Sequence, residues 1–218
     1  MSAMRALVHL ALFALLATPA LAQQLETEQA DLLERARAAA LRYSASLPDF
    51  ICTEVVRRSE DPQSNGRWRS MDTLTVKLSY SDHQEDYKLM LINGKSTLLD
   101  YLHVGGALST GEFGTRLYSL FHPGSHSEFR WKGWTTLRKR RVARYSYRVE
   151  RTNSFFQIQY GPVAAGGNTI VVAYHGEVLV DDETHLVLRF TQQAEIPQGF
   201  PITANESIID YDFAPVGG

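Results

Sequence analysis

Cysteine is nearly absent from this 218-residue chain: Cys52 is the only one, so no intramolecular disulfide can form. Stability must then come from packing, and a buried free thiol is the state expected of Cys52. Also missing are HExxH, paired CxxC and glycine-flanked calcium-loop patterns, which leaves no recognisable metal signature. His122 and His126 have a ligand spacing, but Pro123-Gly124 between them breaks the helix that this spacing needs. No GxSxG occurs, and Gly105-Gly106 with Gly111 and Gly114 spells no GxGxxG. A serine-hydrolase elbow and a dinucleotide fingerprint are thereby excluded. The 7 histidines and 24 acids are scattered, so no catalytic residue, metal ligand or cofactor is assigned. Beyond the N-terminal segment, no apolar run approaches the length of a membrane-spanning helix.

The first 22 residues read as a cleaved export signal. Arg5 marks the charged region, Ala6 to Ala17 is apolar apart from His9, and Ala20-Leu21-Ala22 supplies a small-x-small site. No cysteine follows that site, so lipid attachment there is excluded. The expected location is periplasmic or secreted, which makes nucleic acid an improbable partner. Residues 23–218 suit a single domain large enough to bury a core.

One long helix is expected over Leu25 to Ser46, with Leu25, Leu32, Leu33, Ala36, Ala40 and Tyr43 on one face. Leu47-Pro48 ends it. Strands then dominate. Phe50–Ser59 is one, and in Arg67–Tyr80 the residues Leu74, Val76, Leu78 and Tyr80 alternate with Thr73, Thr75, Lys77 and Ser79. Tyr87–Ile92 leads to Asn93-Gly94, a dipeptide suited to a two-residue hairpin turn. In mid-chain, Ser109 and Glu112 have capping-box spacing ahead of a short helix carrying Phe113, Leu117, Leu120 and Phe121 on one face. His122-Pro123-Gly124 stops that helix. Strands resume through Phe129, Trp131 and Gly133, alternating with Arg130, Lys132 and Trp134, and continue to a last one over Ser207–Phe213. Eight to ten strands and two helices define an α+β fold, a curved antiparallel sheet with helices on one side.

Two stretches stand apart. Residues 130–151 hold Arg130, Lys132, Arg138, Lys139, Arg140, Arg141, Arg144, Arg148 and Arg151 against Glu150 alone. Such a patch, centred on Arg138 to Arg141, can attract an anionic envelope component or an acidic partner, or can be a solvated hairpin tip. The second stretch, Val171–Phe190, reads as two strands joined by Asp181 to His185. Val178-Leu179-Val180 and Leu186-Val187-Leu188 look apolar on both faces. The acidic connection reads as a turn rather than a calcium loop.

Gly176-Glu177-Val178-Leu179-Val180-Asp181, its connection and Val187-Leu188-Arg189 resemble the corresponding hairpin of the periplasmic lipoprotein-localisation-factor (LolA/LolB-like) superfamily. That group includes outer-membrane lipoprotein-sorting proteins and periplasmic sigma-regulator sensor domains. The preceding Trp134 to Arg148 strand pair fits the same likeness. What the resemblance implies is a half-open β-barrel with an apolar concave face that holds acyl chains beneath covering helices. It transfers no functional residue to a numbered position.

These readings lead to an exported, non-enzymatic protein that holds a lipid or acylated ligand in an apolar cavity. Phe113, Leu117, Leu120, Phe121, Trp131 and Trp134 are its expected lining. The alternative is a sensor or interaction domain that docks a periplasmic protein through the basic hairpin. An enzyme with a dispersed site stands third, to be judged by whether His175, His185 and acids share a pocket.

Overall fold

Alanines dominate the buried stripe of the first helix, α1 (Pro19–Ser46): Ala36, Ala39 and Ala40 lie buried beside Leu32. Small side chains allow the helix to sit close on its neighbours. The computed structural model describes residues 19–61, 63, 65–81, 84–105, 108, 110–111, 113–160 and 168–212. The expected signal segment falls largely outside these residues, and α1 runs through the Ala22–Gln23 junction. The apolar stripe is narrower than the sequence suggests, because Leu25 and Tyr43 are exposed. Among the described residues, no helix is long and apolar enough to cross a membrane.

The fold is α+β, with strands in three antiparallel sheets, none closed into a barrel. The first sheet contains β1 (Phe50–Glu60), β2 (Arg69–Ser81), β3 (Gln84–Ile92) and β4 (Lys95–Ser96) in sequential order. Asn93 and Gly94 both adopt positive φ in the turn between β3 and β4, as their residue types favour. A short helix follows, α2 (Thr115–Phe121). The second sheet draws on β5 (Glu128–Leu137), β6 (Arg140–Val149), β9 (Tyr174–Asp181), β10 (Val187–Ala194) and β11 (Glu206–Asp210). Their order in space is β11-β10-β9-β6-β5. The small pair β7 (Gln157–Tyr160) and β8 (Asn168–Val171) completes the set. Phe213, expected to end the last strand, lies outside the described residues.

Two inner faces carry the core. On the five-stranded sheet, Tyr145, Tyr147, Val178, Val180 and Phe190 pack against Leu32, Ala36 and Ala40 of α1 and Leu117, Leu120 and Phe121 of α2. On the four-stranded sheet, Leu74, Val76 and Leu89 pack against Tyr101 with Val104 and Leu108. Arg58 is buried there in a two-pronged pair with Asp72, at 2.6 and 2.5 Å, and also donates to the Gly105 carbonyl. That guanidinium holds the Asp72 carboxyl below its usual range, against the opposing effect of burial.

The two regions meet at the end of α1. Ser44 Oγ donates to the Gly114 carbonyl at 3.2 Å, Tyr80 Oη donates to the Ser44 carbonyl, and Phe113 lies 5.5 Å from the Phe50 ring. Glu85 of β3 accepts from the Gly111 amide at 2.8 Å and from Thr115 Oγ1 at 3.3 Å. Helix α2 starts at Thr115 with Gly114 at its cap position, and no side chain caps it. The Ser109–Glu112 capping box lies outside the described residues, and Phe113 precedes the helix.

Bulges correct the period-two readings at three places, besides the register shift at Arg58–Ser59 that skips Met71 in β2. The register skips Met90 in β3, Lys132 in β5 and Leu188 in β10. Each extra residue turns the strand's phase over. Trp131 and Trp134 therefore share a face and meet edge-on at 5.3 Å, although simple alternation separates them. The apolar run Leu186-Val187-Leu188 likewise reflects a bulge, not a strand buried on both sides. The other face of that hairpin carries His175, Glu177, Arg189 and Thr191.

Candidate functional site

The cavity lining expected from the sequence is largely core. Leu117, Leu120 and Phe121 are buried, and Phe121 stacks on Phe129 with centroids 5.4 Å apart. Arg37 donates to the Phe121 carbonyl at 2.9 Å and lies over both rings. Trp131 packs edge-on against Tyr145. Trp134 is exposed beneath the Arg141 guanidinium, 3.7 Å from its ring centre. Leu117, Leu120, Phe121 and Trp131 share one packed cluster, Trp134 touches it through Trp131, and Phe113 lies apart against Phe50. The volume beneath the five-stranded sheet is occupied by the protein's own side chains.

The basic hairpin finds acids at close quarters. Because β6 lies beside β9, the Arg138–Lys139 turn and the Asp181–His185 connection emerge at the same end of the sheet. Arg140 forms a two-pronged pair with Asp181 at 2.6 and 2.8 Å, and Arg141 reaches Asp182 at 2.8 Å. Arg138 pairs with Asp212 at 2.9 Å and donates to the Tyr211 carbonyl at 2.6 Å. Arg140, followed by the amide and hydroxyl of Thr184, holds the Asp181 carboxyl well below the carboxylate range even though burial opposes this. Lys139 alone of the four has no acidic partner among the described residues. Further along, Arg148 pairs with Glu150 and Glu195, and Arg189 with Asp210.

The hairpin pattern Gly-x-x-x-x-Asp has a local physical account. A Cβ on Gly176 would lie 2.0 Å from the Thr191 carbonyl oxygen and 2.9 Å from the Tyr147 hydroxyl. Only glycine permits that approach. Asp181 closes the turn and clamps Arg140. His175 lies 3.2 Å from Glu195 at the start of β9, whereas His185 sits past its far end, so the two do not share a pocket. Among the described residues, no group of three His, Cys, Asp or Glu side chains is placed to hold a metal ion. Cys52 is a free thiol, but partly and not fully buried as expected; that partial burial, with Glu54 adding to it, raises its pKa and favours the protonated form.

The surface that stands out is the outer face of the four-stranded sheet. Register places Ile51, Ser79 and Asp86 in one row, Thr53, Lys77 and Lys88 in the next, and Val55, Thr75 and Leu91 in a third. Among the described residues no element covers this face: Ile51 is 67 % exposed, Val55 47 % and Met90 40 %. A shallow groove of about 520 Å³ runs over it between Ile51, Thr53, Thr75, Lys77, Met90 and Leu91. A second groove, about 350 Å³, lies at the β3 edge, where Lys88 adjoins the fully exposed Leu98. Lys77 and Lys88 are direct cross-strand neighbours, and neither has an acidic partner among the described residues. Sequence reading missed this surface. Its signal was the outward row Thr73, Thr75, Lys77 and Ser79, which passes for an ordinary solvated face until β1 and β3 flank it. Comparisons with protein families, curated proteins and solved structures give no match for this chain.

Proposed function

We propose that the chain is an exported, non-catalytic binding protein that takes an amphiphilic ligand on the open face of its four-stranded sheet. One observation carries the reading: apolar side chains and lysines without ion pairs among the described residues share that face, while the apolar inner faces of both large sheets form packed clusters. Exposed Ile51, Val55 and Met90 can cover alkyl groups, and Lys77 and Lys88 can meet an anionic head. Each CH₂ transferred from water to such a surface gains at most ~0.8 kcal/mol, less where one side stays wet. The resemblance to acyl-chain carriers leads to the same ligand class by a separate route. It supports a lipid-type ligand on a concave inner face, whereas the exposed apolar groups favour the outer face of the four-stranded sheet. Docking through the basic hairpin receives less support, because acids of the same chain already engage Arg138, Arg140 and Arg141.

The test is titration of a dansyl-labelled undecanoic acid into the purified chain, following the blue shift and rise of its emission. Binding to the wild type and loss in Ile51→Asp/Met90→Asp is the expected result. Both positions are exposed, so the fold should persist, as circular dichroism will show. Equal binding by the double variant refutes the assignment to this face.

A further inference from the structure

Two lysines set side by side across a β-ladder repel each other. Their Cβ atoms are about 5 Å apart in such a pair, and like charges there destabilise the sheet. Neither Lys77 nor Lys88 forms an ion pair among the described residues, Asp86 of the adjacent row included, and Arg57 extends the same face beyond Val55, likewise without one. Asp86 is the single acid in the three central rows. An anionic surface laid over the sheet would convert this repulsion into attraction, and Ile51, Met90 and Leu98 flank the two lysines with exposed apolar groups.

Resting on the amphiphile-binding reading, we infer that this face docks onto the surface of an anionic phospholipid bilayer. The lysine pair would lie at the phosphate level, and the flanking apolar side chains would enter the headgroup–acyl boundary. Shape favours a bilayer over an acidic protein. The grooves are shallow, with no wall to enclose a helix or a strand's side chains. The apolar groups surround the cations from three sides: Ile51 and Val55 on β1, Met90 on β3 and Leu98 beyond the sheet edge. Leu98 projects freely from a loop beside Lys88, where a planar interface can receive it.

Co-sedimentation with phosphatidylcholine vesicles, with and without about one third phosphatidylglycerol, tests the inference. The wild type should bind the anionic vesicles, release them as salt rises, and leave pure phosphatidylcholine vesicles unbound. Lys77→Gln/Lys88→Gln should weaken binding about thirty-fold, at ~1 kcal/mol per lysine near an anionic surface. That variant removes a repulsion, so failure to fold is not expected to confuse the result. Arg138→Gln/Lys139→Gln, on the other hairpin, should bind within about two-fold of wild type, since Arg138 is already paired. Absence of vesicle binding, equal binding to both compositions, or full binding by the lysine variant overturns the inference. If the dansyl acid still binds in any of those cases, the amphiphile reading stands and only the bilayer assignment falls. If acidic peptides but not vesicles bind through Lys77 and Lys88, a protein partner replaces the bilayer.

Discussion

The two large sheets share one construction on the inside and differ on the outside. Each buries an apolar inner face against the rest of the chain, the five-stranded sheet under α1 and α2, the four-stranded sheet under Tyr101, Val104 and Leu108. The outer face of the five-stranded sheet is knitted by ion pairs: Arg140–Asp181, Arg144–Glu177, Arg148–Glu195 and Arg189–Asp210. The outer face of the four-stranded sheet has Lys77 facing Lys88 among exposed Ile51, Val55 and Met90. Charge therefore does different work on the two. On the first it is satisfied internally and fixes the hairpins together; on the second the lysine pair has no ion pair among the described residues.

Inner faces should give the largest effects. Phe190 stacks on Tyr147 at 5.7 Å and is fully buried, so Phe190→Ala should cost about 3–5 kcal/mol in a denaturant titration. Leu89→Ala on the other sheet should cost about 2–5 kcal/mol. A loss below 1 kcal/mol at Leu89 would break the likeness of the two interiors and leave the four-stranded sheet loosely packed.

Alkaline pH should separate the interiors further. Burial raises the pKa of Tyr145 and Tyr174 to about 12 and that of Tyr147 higher still. A folded pKa above the unfolded value near 10 means that this stability is whole below pH ~10. It is lost as pH rises towards 12. Denaturant midpoints should fall over that window. Tyr145→Phe and Tyr174→Phe should each flatten the fall, and an unchanged profile would show that these rings already meet water.

Outer-face charge comes next in size. Asp181 is buried and bonded to Arg140 and Thr184, so Asp181→Asn should cost about 1.5–3 kcal/mol at neutral pH. Its folded pKa is depressed, so the contribution exists above the ordinary carboxylate value near 4 and disappears as pH falls below it. The wild type and Asp181→Asn should therefore converge in stability in acid. A constant difference across that range would mean that the turn, not the ion pair, needs Asp181.

How much of this was legible depends on the range of the interaction that decides each feature. Local patterns were read well: Leu74, Val76, Leu78 and Tyr80 alternate inward, Asn93-Gly94 turns, and Leu117, Leu120 and Phe121 share a buried helix face. Bulges at Met90, Lys132 and Leu188 were not legible, because an extra residue exists only relative to a partner strand. The ion pairs of the basic stretch were hidden for a similar reason. Arg140 and Asp181 are 41 residues apart, and nothing local shows that β6 and β9 are neighbours. The candidate binding face was hidden in the opposite way: Lys77 and Lys88 look unremarkable until register sets them opposite each other.

The smallest effect is also the one that most sharply divides the two outer faces. Lys77→Gln removes a like-charge neighbour of Lys88, so it should raise stability by about 0.2–1 kcal/mol. Arg140→Gln removes the partner of a buried carboxylate and should lower stability. Opposite signs for two losses of one positive charge identify one outer face whose charges serve the fold and one whose lysine pair does not. Added salt should shrink the gain from Lys77→Gln, because both lysines are exposed and screening already weakens their repulsion. If Lys77→Gln destabilises the chain, the lysine has a structural partner, and the open face loses the feature that marks it for an anionic ligand.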